Sequence, residues 1–529
     1  MTTPWSATTV SGRVPDALWA AYEQYEEALR ENDLQVLSDL FAPGPDTLRA
    51  DGTGVLVGHD AVTAFRASRG GTGARLIRDC HVRMIDGHNA IVVATNAPER
   101  GGFGVVSQWW SLREVGGDQP RWVIAAAQVA AQPPALDRSV WRVVGSPLVR
   151  GSDGGAGPLA GESVAVKDLF DVAGHAVGAG IPGFLAGSAP ASRHAPAVAA
   201  LLAAGADVLG IAQTDEFAYS IAGRNPHYGT PPNIAVPGAL PGGSSSGPAT
   251  AVAAGHVSIG LGTDTAGSIR VPASYQGLWG LRSTHGAVDT AGLLPLAPRF
   301  DTVGWLARSA TVLRHAAATS LDSRSQVGVP AQLVVSPAVL ELASAPVRQA
   351  FGRAVDGLVS EDVLLPPEEV DLPDLDRALL AFRTVQAAEA WGSHGAWVRA
   401  HPGVLAPDVA ERFRFAESVT TDQHATAAAE VELLRAELDT RLAGRVLLLP
   451  TTPTPAPQAD ADPVEIDAVR QSTLLLTCIA GIGGYPALSA PLLQVDRSPV
   501  GLCFLGPRSA DLALVDLGRT CAREASQHT

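Results

Sequence analysis

The sequence contains almost no lysine. Of its 38 lysine and arginine residues only Lys167, in the stretch "VAVKD", is a lysine, which leaves 37 arginines. A coding bias that replaces lysine with arginine accounts for the 37 but does not say why one lysine is kept. Arginine stays protonated in proteins, so of the two residues only lysine can act as a base. Composition alone is compatible both with chance retention and with retention of a needed base.

The sequence also lacks the marks of several protein classes. Four cysteines without a C-x-x-C pair predict buried free thiols in a reducing compartment, and hence a cytoplasmic protein. We find no signal segment and no apolar run long enough for a membrane span. A net charge of −15 with no basic run argues against nucleic acid or an anionic membrane as a partner. The histidines form no ligand motif, so we expect neither a metal nor another cofactor.

The length of 529 residues predicts more than one domain. In residues 1–132, three helical patterns precede four strand-like runs, an order that favours a small α+β domain. Residues 133–139, "PPALDRS", read as a linker. In residues 140–529, short apolar strands alternate with alanine-rich helices, which predicts an α/β sheet with helices on both faces. Two longer helical stretches, near 375–396 and 406–443, predict an additional helical layer.

The densest candidate chemistry lies in "PGGSSSGPATAVAAGHVSIGLGTDTAGSIR", residues 241–270. Two turns rich in glycine and serine, at 242–247 and 266–268, bracket a helix of small residues and a strand. Such turns let backbone N–H groups converge on a phosphate or on a developing oxyanion. The phosphate interpretation needs a G-x-x-x-x-G-K-[ST] motif, which is missing.

This block resembles the signature of the amidase signature family, G-G-S-S-G-G followed by G-T-D-x-G-G-S-I-R-x-P. The stretches "VAVKDLFD", "QTDEFAY", "PLAPRFDTVGWLAR", "VLLLPTTPTPAP" and "GYPALSAPLL" resemble further family landmarks in the family's order, so the resemblance spans residues 140–529. It implies an α/β fold with a mixed, twisted central sheet flanked by helices. It also implies a catalytic triad of Ser268 as nucleophile, Ser244 as relay and Lys167 as base, with a cis peptide at Gly243–Ser244.

The oxyanion hole implied by the family consists of backbone N–H groups of four consecutive residues, Thr265, Ala266, Gly267 and Ser268. The chain departs from the family pattern at Ala266, where a glycine is usual. If the family needs a positive φ there, about 1 kcal/mol of strain follows. We expect Asp264 and Arg270 to pair and to brace the loop. Ser245 and Ser246 are expected to hydrogen-bond within the first turn.

The first 132 residues resemble the NTF2-like (SnoaL-like) cone, and within it the AtzH-like proteins, which are associated with an amidase of carboxybiuret breakdown. The resemblance rests on the order of the elements, on "GHDAV" and on the closing tryptophan strand. Two interpretations of its aromatic residues stay open: they line a ligand pocket, or they fill the cone and a contact. The residues concerned are His81, Trp109, Trp110 and Trp122. Cones of this type usually cover their sheet face by packing against a second copy or another domain. We therefore expect a homodimer, or else docking of the cone on the second domain in support of its active-site loops.

The sequence thus predicts a cofactor-independent hydrolase of a carboxylic amide C–N bond, acting on a small amide or urea-like molecule through an acyl-enzyme. A glutamine-dependent amidotransferase subunit is one alternative, since the resemblance implies the same triad for it. A catalytically silent scaffold or binding protein is another. Turnover of simple amides separates the hydrolase from the scaffold, and dependence on glutamine separates it from the amidotransferase.

Overall fold

A computed structural model describes residues 6–11, 14–51, 54–67, 75–98, 104–115, 119–131, 137–152 and 157–525. The chain divides into two compact units, residues 1–137 and 138–529. The predicted linker, residues 133–139, lies mostly outside the described residues, which stop at 131 and resume at 137. Where linker and domains begin and end stays a prediction.

The first unit combines helices with one sheet. Its described residues form helices α1 (Asp16–Glu31), α2 (Leu34–Asp39) and α3 (His59–Ala67), and strands β1 (Ser6–Ser11), β2 (Leu48–Asp51), β3 (Gly54–Val57), β4 (Arg75–Met84), β5 (Asn89–Pro98), β6 (Gly104–Arg113) and β7 (Arg121–Ala131). The sheet has the order β1-β4-β5-β6-β7-β2-β3, and β4 to β7 form the predicted antiparallel meander. The three predicted helices are also present, whereas β1, β2 and β3 were not expected.

The tryptophans of the first unit divide between its core and its surface. Trp110 and Trp122 are buried, and Trp110 makes edge contacts with Tyr22 and Tyr25 of α1. Trp109 points to the opposite face of β6, because side chains alternate along a strand, and it is 49% exposed. For Trp110 and Trp122 the structure therefore favours the interpretation that they fill the cone.

The second unit is a sheet between helices. Its described residues form strands β8 (Trp141–Val149), β9 (Ser163–Lys167), β10 (Asp207–Ala212), β11 (Ile259–Asp264), β12 (Trp279–Arg282), β13 (Thr302–Ala307), β14 (Leu333–Val335), β15 (Glu368–Glu369), β16 (Val446–Pro450), β17 (Ala487–Val495) and β18 (Ser498–Leu505). The helices are α4 (Pro182–Gly187), α5 (Pro196–Ala203), α6 (Ser246–Ala253), α7 (Arg270–Tyr275), α8 (Ala310–Ala318), α9 (Pro337–Glu341), α10 (Ala345–Ser360), α11 (Leu375–Ala400), α12 (Pro407–Ser418), α13 (Thr421–Leu442), α14 (Pro463–Gly483) and α15 (Asp511–Ala525). A short 3-10 helix, Glu216–Ala218, follows β10.

The strands of the second unit form one mixed sheet of the order β15-β14-β16-β18-β17-β12-β13-β11-β9-β10-β8. Towards the β8 edge of the sheet, β9 runs parallel to both β10 and β11, whereas β11 and β13 are antiparallel. Every residue of β11 and β13 is buried, as expected for central strands covered on both faces. The predicted class, an α/β fold with a mixed central sheet flanked by helices, is confirmed.

The additional helical layer differs from the prediction in one respect. The stretch expected to be helical over 406–443 is two helices, because α12 ends at Ser418 and α13 begins at Thr421. Thr420 is the N-cap of α13. Its side chain accepts a hydrogen bond from the backbone N–H of Gln423, and the Gln423 side chain accepts one from the N–H of Thr420. This capping box satisfies N–H groups that a new helix leaves unpaired.

All four cysteines occupy described positions and are free and buried, as predicted. Within the described ranges no helix has the length and apolarity needed to cross a membrane. Nor do the described histidines, cysteines, aspartates and glutamates gather into a group of three that could hold a metal ion.

Candidate active site

The site lies where two parallel neighbouring strands end. Lys167 is the last residue of β9, and Thr263 is the last but one of β11. The register pairs Leu261 with Val166, so the carboxyl ends of both strands meet at one edge of the sheet. Such edges are where α/β sheets place their ligand-binding groups.

The three residues predicted as a triad lie in contact there. Lys167 Nζ is 2.8 Å from Ser244 Oγ, and Ser244 Oγ is 3.0 Å from Ser268 Oγ. These residues are far apart in sequence, and each of the three side chains is buried. The distances fall within the normal range for hydrogen bonds, so a proton can pass along the chain from one hydroxyl to the next and on to the amine.

Burial changes the basicity of the lysine. It lowers the pKa of Lys167 to about 7, although the nearby carboxylates of Asp215, Asp264 and Asp301 act in the opposite direction. Removing an ammonium from water disfavours the charged form, which is why burial dominates here. Near neutral pH a substantial fraction of the amine is therefore free to accept a proton.

The first glycine-serine turn holds Ser244 by its backbone. The peptide bond Gly243–Ser244 is cis, as the family resemblance implied. The carbonyl of Ser244 accepts a hydrogen bond from Thr214 Oγ1 at 2.9 Å. A Cβ atom at Gly243 would lie 2.4 Å from Asp215 Oδ2, so only glycine fits at that position. The serine hydroxyl is thus placed by a closely packed backbone.

The neighbouring serines support this turn, as predicted. Ser245 Oγ donates to the carbonyl of Thr263 at 3.3 Å, which ties the first turn to β11. Ser246 Oγ donates to Asp215 Oδ1 at 3.3 Å. Neither hydroxyl belongs to the chain formed by Lys167, Ser244 and Ser268.

Asp264 organises the second turn. The predicted pair is present: Asp264 Oδ1 accepts from Arg270 Nη2 at 2.8 Å and Oδ2 accepts from Arg270 Nε at 3.0 Å. Arg282 Nη1 adds a contact to Oδ1 at 3.2 Å. Burial by itself would raise the pKa of Asp264, but the two guanidinium groups hold it well below its usual range. The carboxylate therefore stays ionised, and it fixes the loop that carries Ser268.

One of the four expected oxyanion donors already has a partner within the second turn. The backbone N–H of Gly267 donates to Asp264 Oδ1 at 2.9 Å, so this group is already engaged by a carboxylate. The positive φ of the turn falls on Gly267, at 113°, and not on Ala266. Ala266 consequently adopts an ordinary backbone conformation, and the strain considered for an alanine at this position does not arise.

Sequence reasoning missed Thr263. Its Oγ1 lies 2.8 Å from Lys167 Nζ, on the end of the strand next to the one that carries the lysine. The signal was present in "GLGTDTAGS": a threonine directly before the loop that carries the predicted nucleophile. The hydroxyl gives the amine a second partner besides Ser244 and so fixes its direction.

A cavity of about 390 Å³ lies next to Ser268. Ser268, Thr265 and Ala266 line it on one side, and residues of α11, α12 and α14 line the other. This volume lies near the lower end of the range for small-molecule sites.

Comparisons with known proteins agree with this fold. The Amidase family profile matches residues 150–515. Amidase 1 of Arabidopsis thaliana is 36% identical over 394 residues, which cover 68% of this chain and 92% of the relative. The 1-carboxybiuret hydrolase subunit AtzE of Pseudomonas sp. (strain ADP) is 33% identical over 374 residues, or 65% of this chain and 80% of the relative. A crystal structure of an amidase superposes with a TM-score of 0.66 at 32% identity, covering 73% of this chain and 92% of that chain.

These likenesses place the second unit among the amidase-type hydrolases. The chain belongs to the Amidase family. An AtzH-like profile matches residues 11–134, so an AtzH-like domain precedes the hydrolase part, as the resemblance of the first 132 residues implied.

Proposed function

We propose that the protein is a cofactor-independent amidohydrolase that cleaves a carboxylic amide C–N bond through an acyl-enzyme on Ser268. The observation that carries the proposal is the continuous contact from Ser268 through Ser244 to Lys167, at 3.0 and 2.8 Å. A nucleophilic serine needs a base, and a buried amine that is partly neutral near pH 7 supplies one.

In the proposed first half-reaction, Ser268 Oγ attacks the carbonyl carbon of the amide. Its proton passes to Ser244, whose own proton passes to the neutral amine of Lys167. The same chain then runs in reverse: Lys167 returns a proton through Ser244 to the leaving nitrogen, the C–N bond breaks, and an ester with Ser268 remains. In the second half, water takes the place of the amine, and the ester is hydrolysed to the free acid.

The negative charge on the carbonyl oxygen requires donors at the cavity. Because Gly267 N–H is bound to Asp264, the proposed donors are the N–H groups of Thr265, Ala266 and Ser268. Donors fixed in this way before the reaction stabilise the tetrahedral intermediate without having to reorganise. Asp264 has an indirect role, since it holds the turn that presents them.

A small amide or urea-like substrate fits the size of the cavity. The printed name of the AtzE relative, a 1-carboxybiuret hydrolase subunit, also supports the urea-like class. The test is ammonia release from a panel of small amides, ureides and carbamates, compared between the wild type and Ser268→Ala. Turnover by the wild type alone supports hydrolysis at Ser268. Glutamine is assayed beside the panel, and turnover of glutamine alone would favour an amidotransferase subunit instead. No turnover of any amide would contradict hydrolysis at Ser268.

The first unit carries an apolar patch that we propose pairs two copies of the chain. Exposed side chains on one face of its sheet are Leu48, Val55, Ile91 and Trp109, the first of them 41% and the last 49% exposed. Patches of this kind on a sheet are commonly covered by a partner. Light scattering of the full chain should give the mass of a homodimer, and a monomer at micromolar concentration would contradict this part of the proposal.

A further inference from the structure

Three arginines from three helices line the cavity that contains Ser268. They are Arg383 on α11, Arg412 on α12 and Arg470 on α14, and we refer to them as the arginine cluster. Like charges brought together in a cavity repel one another and lose hydration. An arrangement of this kind is expected where a ligand of opposite charge compensates the cost.

Arg470 has an unused hydrogen-bond donor. Its side chain is only 17% exposed, and Nη1 makes a long contact of 3.3 Å to Asp467 Oδ1. Its Nε is buried and has no hydrogen-bond partner in the described part of the chain. Buried donors in folded proteins are almost always paired, so an acceptor from a ligand would complete this one. Burial, followed by the charge of Arg412, lowers the pKa of Arg470 to about 10, which leaves it positively charged near neutral pH.

The other two members of the cluster differ in their partners. Arg412 donates to the carbonyl of Tyr219 and to Asp408 Oδ2, both at 2.8 Å. Arg383 donates to the neutral side chain of Gln471 at 3.2 Å. No carboxylate of the described residues lies within ion-pair distance of Arg383, so its charge is not compensated by direct contact.

The acidic residues of the cavity lie closer to solvent than the arginines with which they pair. Asp408 and Asp467 are each 60% exposed, against 15% for Arg412. Glu411 also lines the cavity but is exposed, and it forms no ion pair among the described residues. Positive charge therefore predominates in the deeper part of the cavity, although the formal charges of the lining balance.

We propose that the arginine cluster binds a carboxylate of the substrate, so that the enzyme acts on small amides or ureas that carry a second, free carboxylate. This inference rests on the proposed hydrolysis at Ser268. Guanidinium groups match the planar carboxylate and bind it with paired, charge-assisted hydrogen bonds. Because the same cavity holds both the cluster and Ser268, a short substrate can place its carboxylate on the arginines and its amide carbonyl at the serine.

The test is competition with fluorophosphonate labelling of Ser268, which does not require the natural substrate to be known. The competitors are malonamate, succinamate and glutaramate, each against its own diamide, which has the same length but no charge. Initial labelling rates of the full chain are measured, so that slow turnover of a competitor does not matter. We expect the best acid of the series to protect at a concentration at least about 30-fold lower than its diamide, the scale of one hydrogen bond to a charged group.

Variants of the arginine cluster test whether it causes the preference for the acid over the diamide. In Arg383→Met and Arg470→Met the advantage of the acid over the diamide should fall about tenfold or more, while protection by the diamide changes little. Arg383→Met stays informative if Arg470→Met does not fold, since Arg383 is only partly buried. Arg399→Gln is the matched control, because Arg399 lies on α11 in an ion pair with Glu417 and is 64% exposed. It should retain the full preference.

The outcomes separate the two proposals. If Ser268 is labelled but acids and diamides protect equally, or if the cluster variants weaken both equally, the carboxylate inference is wrong and hydrolysis at Ser268 stands. If Ser268 is not labelled, hydrolysis at this residue is wrong, and the carboxylate inference fails with it.

Discussion

Replacement of Lys167 by methionine tests the most unusual group in the molecule. The amine is fully buried and lies 2.8 Å from both Ser244 Oγ and Thr263 Oγ1. Methionine has a similar length and can fill the space without a charge, whereas arginine would keep a permanent charge. We expect Lys167→Met to fold and to slow fluorophosphonate labelling of Ser268 by at least about a thousandfold, within the range for removal of a general base.

Burial also sets the pH range in which Lys167 can act as a base. A lysine of ordinary pKa, near 10.4, has about one neutral amine in 2,500 at pH 7. With a pKa of about 7, Lys167 is neutral in roughly half of the molecules at that pH. Burial thus raises the population of the base by about a thousandfold. The neutral amine is the active form, and it predominates at pH values above the pKa of Lys167. The labelling rate should therefore rise from pH 5 to about pH 8 and then level off.

The assay is the second-order labelling rate of the wild type, Lys167→Met and Lys167→Arg between pH 5 and 9. Circular dichroism and melting temperature check that the variants are folded. Both variants should be slow and should lose the rise near pH 7. A folded variant with a tenth of the wild-type rate, or a wild-type rate independent of pH, would refute the role given to Lys167.

Three further perturbations test separate parts of the account. Thr263→Val removes a hydrogen-bond partner of the lysine amine, so labelling of Ser268 should slow about tenfold. The rise of the labelling rate with pH should move to lower pH, because the ammonium form of Lys167 loses a hydrogen bond. An unchanged pH profile would show that Thr263 does not position the amine. Ala266→Gly should lower the free energy of unfolding by about 0.5–1 kcal/mol in urea, since the alanine is unstrained, and a gain in stability would show strain there. Deletion of residues 1–132 should convert a dimer to a monomer by light scattering while leaving Ser268 reactive. A truncated protein that is still a dimer would show that the AtzH-like domain does not form the interface.

Much of the site could be predicted because its residues lie in short stretches that resemble the motifs of a known family. The resemblance to the amidase signature family implied Lys167, Ser244 and Ser268 as a triad, and the structure brings the three side chains into contact. The break between α12 and α13 was missed although the sequence carries a signal for it: Thr420 and Gln423 have the spacing of a capping box, which marks the start of a new helix.

Two features of the site could not be predicted from the sequence. The hydrogen bond from Gly267 N–H to Asp264 depends on how tightly the second turn folds around that carboxylate. The arginine cluster comes from three helices spread over residues 383–470, in a chain where nearly every basic residue is an arginine. Its members do not differ in sequence from surface arginines, and only the fold shows that they share the cavity of Ser268.

The identity of the nucleophile is tested most directly by the position of a covalent label. The full chain is treated with a fluorophosphonate at pH 8, digested and analysed by peptide mass spectrometry, with Ser268→Ala treated in parallel. We predict one modified peptide, with the label on Ser268, and none in the alanine variant. A label on Ser244 or elsewhere in the wild type, or equal labelling of the alanine variant, would contradict Ser268 as the nucleophile.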